Sequence, residues 1–106
     1  MDRPLGIEHD SPGVVLGVVT MELMIPGAHS LKEKRRATRS LRDRLGSRYN
    51  CSVAEVGHHD LWNRTQFAAC VISDDHGHMS AQLEEIVRFS STHHLLELVD
   101  YSIETR

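Results

Sequence analysis

The sequence predicts an α+β domain of the ferredoxin-like class, βαββαβ, in which a four-stranded antiparallel sheet carries two helices on one face. Three observations predict it. The run VVLGVVTMELMI, residues 14–25, is β-branched and apolar on both faces over its first half, as a central strand must be. Two later segments have helical periodicity and begin at capping signals. The six elements fall into two similar β-α-β halves, the pattern that closes into this sheet. A chain of 106 residues with 40% hydrophobic content supports one modest two-layer core.

Residues 1–12 contain two prolines and no apolar periodicity, so they read as a flexible N-terminal extension ahead of a single ferredoxin-like domain, residues 13–106. In the first strand, Val15, Val19, Met21, Leu23 and Ile25 alternate with Val14, Leu16, Val18, Thr20 and Glu22. Pro26-Gly27 ends it. Ser30-Leu31-Lys32-Glu33 has the spacing of a capping box, and a helix over residues 31–46 follows. Leu31, Thr38, Leu41 and Leu45 form its inner side, with the stem of Lys34 snorkelling between them and Gly46 as the stop. Residues 51–57 and 65–72 read as a hairpin joined by HHDLWNR. Ser73-Asp74-Asp75 supplies the N-cap and acidic first turn of a second helix to about Ser90, which buries Met79, Leu83, Ile86, Val87 and Phe89. A last strand, residues 96–104, alternates Val99, Tyr101 and Ile103 with Asp100, Ser102 and Glu104.

Apolar runs are too short to span a membrane, and the first residues lack the charged start and apolar stretch of a secretory signal. The expected location is the cytoplasm, where Cys51 and Cys70 stay reduced. A hairpin pairing would also set those two cysteines on opposite faces of the sheet. No membrane partner is implied.

The net charge of −3 conceals a polarised molecule. Residues 31–48 hold eight basic side chains against two acidic ones, a local +6 that leaves −9 for the remainder. Measured from Leu31 at about 100° per residue, Arg42, Arg35, Arg39, Lys32 and Arg36 lie at about 20°, 40°, 80°, 100° and 140°. Like charges at these spacings cost a helix a few tenths of a kcal/mol per pair, so an anionic partner that repays the cost is expected. The competing reading balances the stripe with Glu84 and Glu85 of the second helix or with a dimer partner.

His58-His59-Asp60, beside Trp62, raises a metal or catalytic reading, to which His76-Gly77-His78 adds two more ligand types. Adjacent histidines on extended backbone point apart, however, and no H-x-x-x-H or C-x-x-C spacing fixes a shared centre. The favoured account is a turn in which Asp60 makes local backbone hydrogen bonds and Trp62 anchors the loop, with no metal and no cofactor. Acid-base chemistry from His58, Asp60 and Arg64 is the enzymatic alternative. An acylphosphatase-like role would need an arginine and asparagine in a phosphate-cradling loop, where IPGAHS offers only Gly27 and a helix N-terminus.

PGAHSLKEKRR, NCSVAEVGHHDLW and the closing LVDYSIE, in that order, resemble the small bacterial YlxP-like family, a domain of unknown function, over residues 14–104. The resemblance implies a ferredoxin-like domain commonly encoded among translation and ribosome-maturation genes, beside a ribosome-binding factor and an initiation factor. It brings no catalytic residues. With the charge asymmetry it gives the expected function: a non-enzymatic protein whose Lys32, Arg35, Arg36, Arg39 and Arg42 bind RNA, with ribosomal RNA or the small ribosomal subunit as partner. A homodimer is expected through an apolar open sheet face of Val14, Leu16 and Val18 with Val53 and Phe67 or Cys70. The alternatives are a small enzyme or metal-binding protein using the His58 to Arg64 turn, and a dimeric protein-interaction scaffold.

Overall fold

A computed structural model describes residues 13–106, and the expected N-terminal extension, residues 1–12, lies outside the described residues. The element order is β1 (Val15–Met24), α1 (Leu31–Arg48), β2 (Ser52–Gly57), β3 (Arg64–Ser73), α2 (His76–Ser91) and β4 (Glu97–Thr105). The sheet order is β2-β3-β1-β4, and every neighbouring pair is antiparallel. This is the ferredoxin-like arrangement. β1 is central, as its two apolar faces require, and pairs β3 without interruption from Val15↔Ser73 to Met24↔Arg64. Both pairings of the edge strands carry an irregularity, at Glu55/Gly57 for β2 and at Glu22/Leu23 for β4. Such bulges twist an edge away from further pairing.

The core lies between the sheet and the helices. Val19, Met21 and Leu23 of β1 and Phe67, Ala69 and Val71 of β3 meet Leu41 and Leu45 of α1 and Met79, Leu83 and Ile86 of α2. Each large side chain buried this way contributes about 1.5–3 kcal/mol. At Gly17 the side chains of α2 lie directly on β1, since a Cβ there would meet Met79 Sδ and Leu83 Cδ1 inside contact distance. Among the described residues no helix is long and apolar enough to cross a membrane.

Several elements differ in detail from the sequence expectation. The Ser30 hydroxyl accepts from Glu33 N–H at 3.1 Å, but Glu33 reaches past Ser30 to accept from His29 N–H at 2.6 Å. Gly46 does not stop α1, which runs on to Arg48. Tyr49 N–H still bonds Leu45 O at 3.0 Å, and the Tyr49 ring packs edge-on to Phe89 at 6.0 Å. That tertiary contact outweighs the roughly 1 kcal/mol helix cost of glycine. Leu31, at about 0°, is exposed because it lies outside the buried sector of α1, which runs from Ala37 at about 240° to Thr38 at about 340°. The N-cap of α2 is Asp75 itself, accepting from His78 N–H at 2.9 Å, so the first turn carries no acid. In β4 the irregularity beside Asp100 leaves Val99 and Tyr101 exposed, while Leu98 and Ile103 pack against the core.

The loop between α2 and β4 is fastened to α1 by His93. Its Nδ1 accepts from Leu95 N–H at 3.1 Å, so the proton sits on Nε2, which donates to Ser40 Oγ at 2.9 Å. Burial, reinforced by the charges of His94 and Arg44, pushes the His93 ring below its ordinary pKa of 6.5. The unfolded chain therefore takes up this proton first as pH falls. The neutral ring's contribution is complete above about pH 6.5 and is lost as pH drops through the lowered folded value. Urea unfolding at stepped pH is expected to show stability falling less steeply below pH 6.5 in His93→Gln than in the wild type. Parallel profiles would contradict this role.

Candidate functional site

Three loops gather at the end of the sheet where β1 stops: residues 25–30 leading into α1, residues 58–63 between β2 and β3, and residues 92–96 before β4. The two candidate regions of the sequence, the basic helix and the His58 to Arg64 turn, meet here through Lys34.

Lys34 does not snorkel. Its side chain is 4% exposed, and its ammonium lies 3.1 Å from Glu55 Oε2 and donates to the His58 carbonyl at 2.6 Å. Glu55, on the helix-facing side of β2, also accepts from the Thr65 hydroxyl at 2.7 Å. Burial by itself would raise the Glu55 carboxyl. The Thr65 hydrogen bond, the bond and charge of Lys34 and the charge of His59 together outweigh it and hold the group below its ordinary 4.5.

The open side of the sheet carries a second cluster. Glu22 Oε2 accepts from Arg64 Nη2 at 2.7 Å and lies 2.8 Å from His58 Nε2, while Gln66 donates to Glu22 Oε1 at 3.4 Å. His58 therefore ties both clusters, its ring to Glu22 and its carbonyl to Lys34. It does so at φ 59°, in the left-handed region that a residue with a Cβ enters when its surroundings hold it there.

Of the predicted turn residues, His58 and Arg64 are brought together and Asp60 is not. Asp60 stands exposed, and the turn is closed by Leu61 N–H on His58 O at 3.1 Å. Trp62 does not anchor the loop either: it is 51% exposed, and the anchoring falls to Lys34 and to Ile25 N–H on Asn63 O at 2.8 Å. Glu22, His58 and Arg64 line an open cleft of about 470 Å³ with Asp100 and Tyr101. His76 and His78 lie at the opposite end of the sheet, at the start of α2. Among the described residues no group of three or more histidine, cysteine, aspartate or glutamate side chains is gathered to hold a metal.

The basic stripe stands clear of the core. Lys32, Arg35, Arg36, Arg39 and Arg42 are all exposed, and none makes an ion pair with a described residue. Glu84 and Glu85 do not neutralise them. Of the other helix cations, Lys34 is paired with Glu55 and Arg48 lies over the Phe89 ring at 5.0 Å. The open sheet face needs a further correction. Phe67 is fully buried and Val53 packs toward the helices, so the apolar residues of this face are Leu16, Val18, Ala54, Ala68, Cys70 and the exposed Ile72, with Val14 exposed just before β1 and the exposed Tyr101 lining the cleft beside Glu22. Cys51 and Cys70 are free thiols, Cys51 packing on the helix side with its pKa raised, chiefly by burial.

Sequence reasoning missed Glu22, Glu55, Thr65 and the inward turn of Lys34. The signal was present: Lys34 falls at about 300° on the helix, between Leu41 at about 280° and Leu45 at about 320°. Glu55 shares its face of β2 with Val53. Opposite charges at two core-facing positions ask for each other.

Fold and site together define a ferredoxin-like domain with a basic outer helix and a charge-locked turn at one end. Residues 16–103 match the model of the family described as a protein of unknown function (DUF503), and the chain belongs to that family. It is 31% identical over 75 residues to the uncharacterized protein YlxP of Bacillus subtilis (strain 168), a match covering 71% of this chain and 82% of that one. Two of the three stretches that carry the resemblance contribute to the lock, Lys34 from the first and Glu55 with His58 from the second.

Lys34→Met strands Glu55 and removes a donor from the His58 carbonyl. The expected cost in chemical denaturation is about 3 kcal/mol, the low end for a broken buried pair because Glu55 keeps some contact with water. Lys34→Met/Glu55→Leu is expected to recover most of it. A single variant as stable as the wild type would contradict the assignment.

Proposed function

We propose that the protein is a non-enzymatic RNA-binding protein that lays the outer face of α1 against a phosphate backbone, with ribosomal RNA as the partner class. The observation that carries the reading is a row of five cations within about 120° of one helix, exposed and without counterions among the described residues. A solvated helix face ordinarily intersperses acids, and here only Asp43 falls among the five. The gene context that the family resemblance implies, among translation and ribosome-maturation genes, points the same way. Because phosphate contacts carry no sequence information, this face would position an RNA by shape and charge.

The test is co-sedimentation with small ribosomal subunits over a salt series. Four or five phosphate contacts give a slope of log affinity against log salt of roughly −3 to −4.5. Arg35→Glu/Arg36→Glu/Arg39→Glu, which touches only exposed positions, is expected to keep the fold by circular dichroism and to lose binding. No binding by the wild type at low salt, or unchanged binding by the variant, would overturn the proposal.

A further inference from the structure

The basic face accounts for α1 and leaves the tip of the turn without a role. Trp62 is the chain's one tryptophan, and it stands half exposed beside the exposed Leu61. An indole offers more apolar area than almost any other side chain, so a fold that gains nothing from burying it has left it for something else. The backbone beneath it is not loose. Leu61 N–H and the Lys34 ammonium both bond the His58 carbonyl, and Asn63 O receives Ile25 N–H. The turn is thus tied to α1 and to β1, and the ring is presented from a fixed support, which lowers the entropy cost of using it.

Its place relative to the cations follows from the helix geometry. Ser40, at about 180° from Leu31, bonds His93, so that flank of α1 faces the loop before β4. Lys34, at about 300°, faces Glu55 of β2. The remaining flank, with Leu31, Arg42 and Arg35 at about 0–40°, overhangs the β2 side, where the turn begins. Trp62 and the first cations of α1 therefore share one end of the molecule.

We propose that Trp62 is a stacking platform for an unpaired base of the RNA whose phosphates lie along α1; this rests on the reading of α1 given above. Every base has a flat face, so such a contact tolerates any sequence, but it requires a base free of its own stack. The site would favour single-stranded or bulged RNA over a blunt duplex, a preference that the cations alone do not supply.

The single tryptophan makes its own fluorescence the reporter. Wild type is titrated with a fluorescein-labelled single-stranded oligoadenylate of about twelve nucleotides and with a blunt RNA duplex of the same length, reading anisotropy and tryptophan emission. Emission is expected to be quenched in step with binding of the single strand and to change little with the duplex. Trp62→Ala is expected to weaken single-strand binding about tenfold with an unchanged salt slope, and Trp62→Phe to restore most of it. Binding that depends on the α1 arginines but neither quenches Trp62 nor weakens in Trp62→Ala would overturn the platform and leave the helix reading standing. Absence of salt-dependent binding by the wild type would overturn both.

Discussion

One buried charge organises this end of the molecule. Lys34 sits among core side chains of α1, where an unpaired ammonium would cost several kcal/mol in desolvation, so the chain around it must supply acceptors. Glu55 supplies a carboxylate and His58 a carbonyl. The second of these dictates a conformation, since the His58 carbonyl comes within reach as its backbone takes positive φ, and the turn that follows is fixed as a result. The same residue's ring closes on Glu22 across the sheet. A single helix lysine thereby sets the direction in which Leu61 and Trp62 leave the surface.

The pseudo-symmetry of the fold stops at its chemistry. Both β-α-β halves build the same core, but α1 carries eight of the chain's 12 lysines and arginines and α2 carries Glu84 and Glu85 with one arginine, Arg88. The lysine that faces inward is paired, and the five cations that face outward have no ion-pair partner among the described residues, so α1 separates a structural charge from a displayed set. Self-repulsion along that set is a standing cost of a few tenths of a kcal/mol per pair, relieved when counter-charges arrive. Ligand binding to this face should stabilise the folded chain by ordinary linkage.

Much of the fold was legible in the sequence because its signals are local. The two-faced apolar run marked β1 as central, Ser30 and Glu33 marked the start of α1, and the two short strand-like runs around HHDLWNR marked β2 and β3. The misreadings have one cause, the dominance of tertiary contacts over local rules. Gly46 reads as a stop, yet the packing of Tyr49 on Phe89 carries the helix past it. Of Phe67 and Cys70, the two alternatives for the open face, Phe67 belongs to the core and Cys70 to that face, because the parity of a strand shows which residues share a face and not which face is covered. The site was half legible. Lys32, Arg35, Arg36, Arg39 and Arg42 are exposed as the helical projection implies, but the Lys34 contacts span 21 and 24 residues of sequence, and no local pattern reports them.

The central claim is that the basic face of α1 and the turn locked to it by Lys34 form one surface. It is tested most directly by titrating the isotopically labelled protein with a single-stranded RNA oligonucleotide and following amide chemical shifts. The expected result is a contiguous set of perturbed amides on the outer side of α1 from Lys32 to Arg42 and at residues 58–63, with His76 to Met79 at the far end of the sheet unmoved. Shifts confined to the open face, at Leu16, Val18 and Ile72, or to α1 without the turn, would contradict it.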